Sequence, residues 1–166
     1  ELVGNTFLNP GDEVLMCPTF AAFLDMAYIH QAKPVTVPLK SDLTYDLEGL
    51  LEAVTEKTKI IVICNPNNPT GTYVNGDSLR SFIDRVPEDI VIVMDEAYIE
   101  CSTAPDCESM IDLVRQGIEK PLLVLRTFSK YYAMAGVRVG YVAAAPELIA
   151  AMKKCPCNCN INKMGQ

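Results

Sequence analysis

A chain of 166 residues has the size of one domain and can bury a substantial core. With 49% hydrophobic and 21% charged residues it reads as globular, and a net charge of -7 with no basic block argues against nucleic acid as a general partner. The apolar runs are strand-sized, which argues against a membrane span. A small anionic ligand stays open, because it needs only a local cationic pocket.

In chain order, positions 1–8 read as the last turns of a helix. They show neither an initiator Met nor a basic segment followed by an apolar one, so no signal peptide is visible. Asn9-Pro10-Gly11-Asp12 is a turn, and positions 13–16 are a short strand. Cys17-Pro18-Thr19-Phe20 opens a helix to about Gln31, with Thr19 as its N-cap. Positions 34–37 are a strand, and positions 46–55 a helix with Leu47, Leu50, Leu51 and Val54 at helical spacing. Positions 59–64 are almost continuously apolar, the mark of a parallel strand covered on both faces. A helix at 77–86, a buried strand at 90–94, a helix at 108–116 and strands at 122–125 and 139–143 follow, and an amphipathic helix at 146–154 is the last element. Alternation of this kind predicts a three-layer α/β/α domain on a mostly parallel sheet, whose ligands bind outside the strands' carboxyl ends. His30, the single histidine, is expected at the surface.

The seven cysteines are odd in number, and Cys17, Cys64, Cys101 and Cys107 are scattered, so a disulfide framework is not expected. Cys155, Cys157 and Cys159 alternate with Pro156 and Asn158, unlike the usual zinc spacing; reduced thiols of an intracellular protein are the expectation.

Three polar stretches follow buried strands. Asn65-Pro66-Asn67-Asn68-Pro69-Thr70-Gly71 is either turn chemistry or a rigid loop that presents an amide to a ligand oxygen. Asp95-Glu96-Ala97-Tyr98 puts a carboxylate directly after a buried strand, where it needs a cationic partner. A protonated pyridine nitrogen would serve; a metal ligand or a helix N-cap are the alternatives. Thr127-Phe128-Ser129-Lys130, running on to Arg138, offers hydroxyls, an amine and a guanidinium. Lys130 suits a Schiff base with a carbonyl compound, and Arg138 suits a phosphate through its planar fork. Pyridoxal phosphate answers both demands. A solvated lysine and a surface arginine are the plainer reading of that stretch by itself.

On these three stretches together the chain resembles the class I/II (fold-type I) pyridoxal-phosphate aminotransferases. The resemblance implies that Lys130 is the Schiff-base lysine and that Asp95 keeps the pyridine nitrogen protonated. It implies that Tyr98 and Asn68 donate to the cofactor's phenolic oxygen, and that Thr127, Ser129 and Arg138 form the phosphate cup. Phe20 matches the aromatic that stacks on the ring; a core residue is its alternative. Asp95 to Glu100 and Leu125 to Lys130, followed by Ala135 to Tyr141, look most like the histidinol-phosphate aminotransferase subfamily. That likeness implies transfer of an amino group from a small-molecule donor to a keto acceptor: histidinol phosphate and 2-oxoglutarate giving imidazole acetol phosphate and glutamate, in histidine biosynthesis. It further implies a cytoplasmic homodimer, or an organellar one if a transit peptide precedes this stretch. Residues 1–166 would be the central part of the cofactor-binding large domain, without the N-terminal arm and the small domain. Freed Lys130 would move protons, its pKa lowered by a desolvated site and the Arg138 charge. The family usually has Pro-Tyr-Asn after the last helix, and the run from Cys155 to Asn160 departs from it. A phosphoamino-acid decarboxylase, another aminotransferase and a cofactor-binding regulatory sensor are the alternatives.

Overall fold

The computed structural model describes residues 1–155 and 161–166. Six strands form one sheet: β1 (Glu13–Met16), β2 (Lys33–Thr36), β3 (Thr58–Cys64), β4 (Val91–Asp95), β5 (Leu122–Thr127) and β6 (Gly140–Ala143), in the order β2-β1-β3-β4-β5-β6. The first five are mutually parallel, and β6 returns antiparallel to β5 with Thr127 opposite Gly140. Helices α1 (Leu2–Phe7), α2 (Ala22–Ile29), α3 (Leu47–Glu52), α4 (Gly76–Arg85), α5 (Ile111–Arg115) and α6 (Pro146–Lys154) cover both faces.

The apolar runs explain the layering. Side chains alternate across a strand, so Ile61 and Ile63 of β3 join Leu50, Leu79, Phe82 and Ile83 from α3 and α4. Their neighbours Ile60 and Val62 join Val3, Phe23, Met26 and Met152 from α1, α2 and α6 on the other face. All four β3 side chains are fully buried. Each such burial contributes about 1.5–3 kcal/mol of transfer free energy, which keeps β3 central. The expected three-layer α/β/α architecture is the observed one.

Several expected boundaries move, each for a physical reason. The helix expected to start after Thr19 begins at Ala22, with Ala21 at its N-cap. The Pro18 carbonyl is held instead by the Asn67 side-chain amide, 3.3 Å away, which keeps positions 18–20 in a loop. The helix expected over 46–55 is Leu47–Glu52, with Asp46 outside it as the cap, its side chain accepting from Gly49 N. The helix expected over 108–116 is only Ile111–Arg115. Glu108 pairs with Arg80, while Ser109 and Met110 N both donate to Glu96, so these groups are committed elsewhere before the helix can begin. His30 is half-buried rather than on the surface, its ring packed on Gly4 of α1; a Cβ on Gly4 would lie 2.3 Å from His30 Cδ2. Strand β5 runs on through Thr127, two residues beyond the expected end.

Gly140 also has a steric reason. A Cβ there would sit 2.7 Å from the backbone oxygen of Arg126, so only glycine lets β6 approach β5 at that point. In α4, the Asn75 side chain accepts from Ser78 N at 2.9 Å and satisfies one otherwise free donor of the first turn. Asn75→Ala should lower stability by about 1 kcal/mol, read as a shift of the urea midpoint at unchanged slope.

Among the described residues, Cys17, Cys64, Cys101, Cys107 and Cys155 are free thiols. Cys157 and Cys159 lie outside the described residues. No helix among those described is long and apolar enough to cross a membrane.

Candidate active site

Because β1, β3, β4 and β5 run parallel, the segments leaving their carboxyl ends converge. Phe20 lies beyond β1, Asn68 beyond β3, Asp95 closes β4 and Thr127 closes β5, with Ser129, Lys130 and Arg138 in the turn that leads to β6. Together with Tyr98 all of these border one cavity of about 300 Å³, which Cys64, Ala97, Leu125 and Arg126 complete. A larger cleft of about 530 Å³ lies between α3 and α4 and also gathers Lys40, hydroxyls and carboxylates, but its Arg85 and Glu48 are paired with each other and none of the residues that close β4 and β5 lines it.

The Asn-Pro loop is built by its own amides. Asn65 donates to the Val74 carbonyl at 3.0 Å and accepts from Val74 N at 2.7 Å, and Asn67 donates to Thr70 Oγ1 at 3.0 Å as well as to Pro18. These bonds stitch the loop closed on both sides and leave the half-buried Asn68 on the cavity wall. Asn65 and Asn67 thus serve as turn chemistry, while Asn68 faces the cavity.

Asp95 is half-buried, and the burial pushes its carboxyl above the ordinary aspartate range, against the backbone hydrogen bond from Ala97 N at 3.1 Å and the charge of Lys130. Among the described residues no lysine or arginine pairs with it, and no cluster of three metal-ligating side chains includes it. The folded form therefore holds the Asp95 proton more tightly than the unfolded chain does. That contribution to stability is complete below the ordinary aspartate pKa and is lost as pH rises through the raised one. Ligand-free Asp95→Asn should consequently be more stable than the parent at pH 7. The difference should close as pH falls below about 4, as read from urea midpoints across that range.

Lys130 Nζ lies over the Tyr98 ring, 5.2 Å from its centroid. The side chain is exposed, so the desolvated setting expected for this amine is not supplied by the described residues. The Thr127 hydroxyl accepts from Ser129 N at 3.1 Å, which tightens the turn that carries the lysine. Arg138 adopts the left-handed conformation (φ 58, ψ 45) and donates from Nη1 to the Ala135 carbonyl at 2.9 Å. The residue is exposed and borders the cavity. Phe20 is 51% exposed at the rim, which removes the core alternative for it.

Two features escape the sequence reading. Cys64 lines the cavity, but burial pushes its thiol up to about 11, so it stays neutral, its Sγ donating to the Pro66 carbonyl at 3.4 Å. At the cavity wall Arg126 donates to Glu96 at 2.8 Å, to Glu100 at 2.6 Å and to Ser109 at 3.0 Å. The signal for this network was present: charged residues one step before Thr127 and one step after Asp95, in stretches otherwise apolar.

Comparison with known proteins adds an independent view. Histidinol-phosphate aminotransferase of Geobacillus thermodenitrificans is 45% identical over 154 residues, covering 92% of this chain and 41% of that protein. An aromatic amino acid aminotransferase of Nocardia farcinica is 42% identical over 168 residues, covering 100% of this chain and 47% of that protein. The chain thus spans less than half the length of each. The crystal structure of histidinol-phosphate aminotransferase from Sinorhizobium meliloti in complex with pyridoxal-5'-phosphate superimposes with a TM-score of 0.83 at 33% identity, over 93% of this chain and 42% of that one. The family model "Aminotransferase class I and II" matches residues 1–165, and the chain belongs to that family.

Proposed function

We propose that residues 1–166 are the central part of the cofactor-binding large domain of a longer pyridoxal-phosphate-dependent aminotransferase, whose reaction is transfer of the amino group of histidinol phosphate to 2-oxoglutarate. The observation that carries the reading is the meeting of Asn68, Asp95 and the pair Lys130 and Arg138 on one cavity from three separate segments, those that follow β3, β4 and β5. The residues fit the group. A recessed carboxylate without a paired cation suits a pyridinium nitrogen, and an amine beside it suits an aldehyde. Hydroxyls and a guanidinium at the same cavity suit a phosphate. The histidinol-phosphate aminotransferases among the relatives support the substrate.

When bound, the cofactor supplies an electron sink for charge that develops at the substrate's α-carbon. Asp95 would hold the proton on the ring nitrogen, and Asn68 and Tyr98 would orient the phenolic oxygen. Thr127, Ser129 and Arg138 would grip the phosphate, and Phe20 would cover one face of the ring. Lys130 Nζ would take the proton from the α-carbon, as a positioned base does. A homodimer and a cytoplasmic setting belong to the same proposal.

The test uses the full-length protein. Purified with pyridoxal phosphate, it should form glutamate from 2-oxoglutarate with histidinol phosphate as donor. Aromatic amino acids belong in the same assay, because the Nocardia farcinica relative carries that name. Cofactor binding with a preference for aromatic donors would overturn the substrate, and failure to bind the cofactor would overturn the whole reading.

A further inference from the structure

We propose that Arg126 is a positioning residue, one that fixes the segment bearing Asp95 and Tyr98 relative to the segment bearing Lys130. The inference rests on the functional reading above. Strands β4 and β5 are held in register up to Asp95 opposite Leu125, and Glu96 N donates to the Leu125 carbonyl at 3.0 Å. Beyond that point backbone pairing between the two segments gives way to side chains. From the penultimate position of β5 the Arg126 fork reaches across, with Nε to Glu96 Oε2 at 2.8 Å, Nη1 to Glu100 Oε1 at 2.6 Å and Nη2 to Ser109 Oγ at 3.0 Å.

The placement of those partners is what carries the argument. Glu96 adjoins Asp95, and Glu96 and Glu100 bracket Tyr98 on either side. Arg126 adjoins Thr127, whose hydroxyl holds the turn that leads to Lys130. The fork therefore spans the two halves of the site one residue behind each. Its anchor is firm: Glu96 is 1% exposed and also accepts from Met110 N at 2.7 Å and Ser109 Oγ at 2.6 Å. Arg126 is 12% exposed. A buried ion network is a weak stabiliser compared with packed apolar side chains. Three bonds in three directions from one rigid group suit orientation better. A lysine would keep the charge but not the planar fork.

The test uses the full-length enzyme loaded with pyridoxal phosphate. Arg126→Lys should lower kcat by about tenfold to a hundredfold, the scale of a small misplacement at the reacting atoms. The Michaelis constants should stay within about twofold. The visible circular dichroism of the bound cofactor, which reports how the ring is held, should change with kcat. Glu100→Gln removes one arm and leaves the Arg126–Glu96 pair, so it serves if the lysine variant fails to fold; a fall in kcat of about threefold to tenfold with the same spectral change is expected. Wild-type kcat and spectrum in either variant would overturn the proposal, as would a loss confined to thermal stability. A parent that binds no cofactor would instead overturn the functional reading, which separates the two failures.

Discussion

Lys130→Ala in the full-length protein is expected to lose turnover by about ten-thousandfold, because on the proposed reading one side chain would supply both the covalent hold on the cofactor and the proton transfer. Cofactor binding should survive in reversible form, since Arg138, Ser129 and Thr127 border the same cavity and would grip another part of the molecule. Borohydride treatment of the parent should attach the cofactor to a single peptide containing Lys130, and the same treatment of the variant should attach it to none. A label on Lys120 or Lys153 would overturn the assignment. The position of Lys130 Nζ over the Tyr98 ring makes the loss specific: Lys120 donates to the Val86 carbonyl instead, and among the described residues no other lysine borders the cavity.

Asp95→Asn should act through charge alone. The side chain keeps its shape and its place beside Ala97 N but would give up the electrostatic hold proposed for it on a ring-nitrogen proton. Preorganised charge of this kind is worth about 3–4 kcal/mol in the transition state, so kcat should fall by about a hundredfold to a thousandfold while cofactor is retained. The same substitution should raise the stability of the ligand-free protein at neutral pH, as argued above. A variant that is more stable and less active is the expected signature of a carboxylate recessed for its chemistry. Near-normal turnover would make Asp95 a cap for the turn at Ala97 and nothing more.

The sheet was legible where side chains settle the matter locally. The runs at 59–64, 90–94 and 122–125 are apolar on consecutive residues because both faces are covered, and the amphipathic stretch at 146–154 matches α6. The starts of α2 and α5 were not legible, because each is set by a bond from elsewhere in the chain. Asn67 reaches Pro18 across 49 positions, and Glu96 reaches Met110 across 14. Periodicity carries no trace of such bonds, nor of the strand order or the reversed direction of β6. The candidate residues were legible because polar groups at the ends of buried strands stand out. Arg126 and Glu96 were harder to read, since a charge beside a strand looks like its edge until its partner is known.

The reversal at β6 bears on how this protein can change over generations. Residues 128–139 join two strands whose pairing is fixed at both Arg126 opposite Tyr141 and Thr127 opposite Gly140. One added residue in that span would have to bulge out beside Arg138 or slip β6 by one. A slip would turn Val142 and Ala143 to the opposite faces of the sheet, and it would put a side chain where only the hydrogen of Gly140 fits against Arg126. The exposed turn at 40–43 carries no such double constraint. Insertions and deletions among natural variants should therefore gather in surface turns of that kind, while the distance along the chain from Lys130 to Arg138 stays constant.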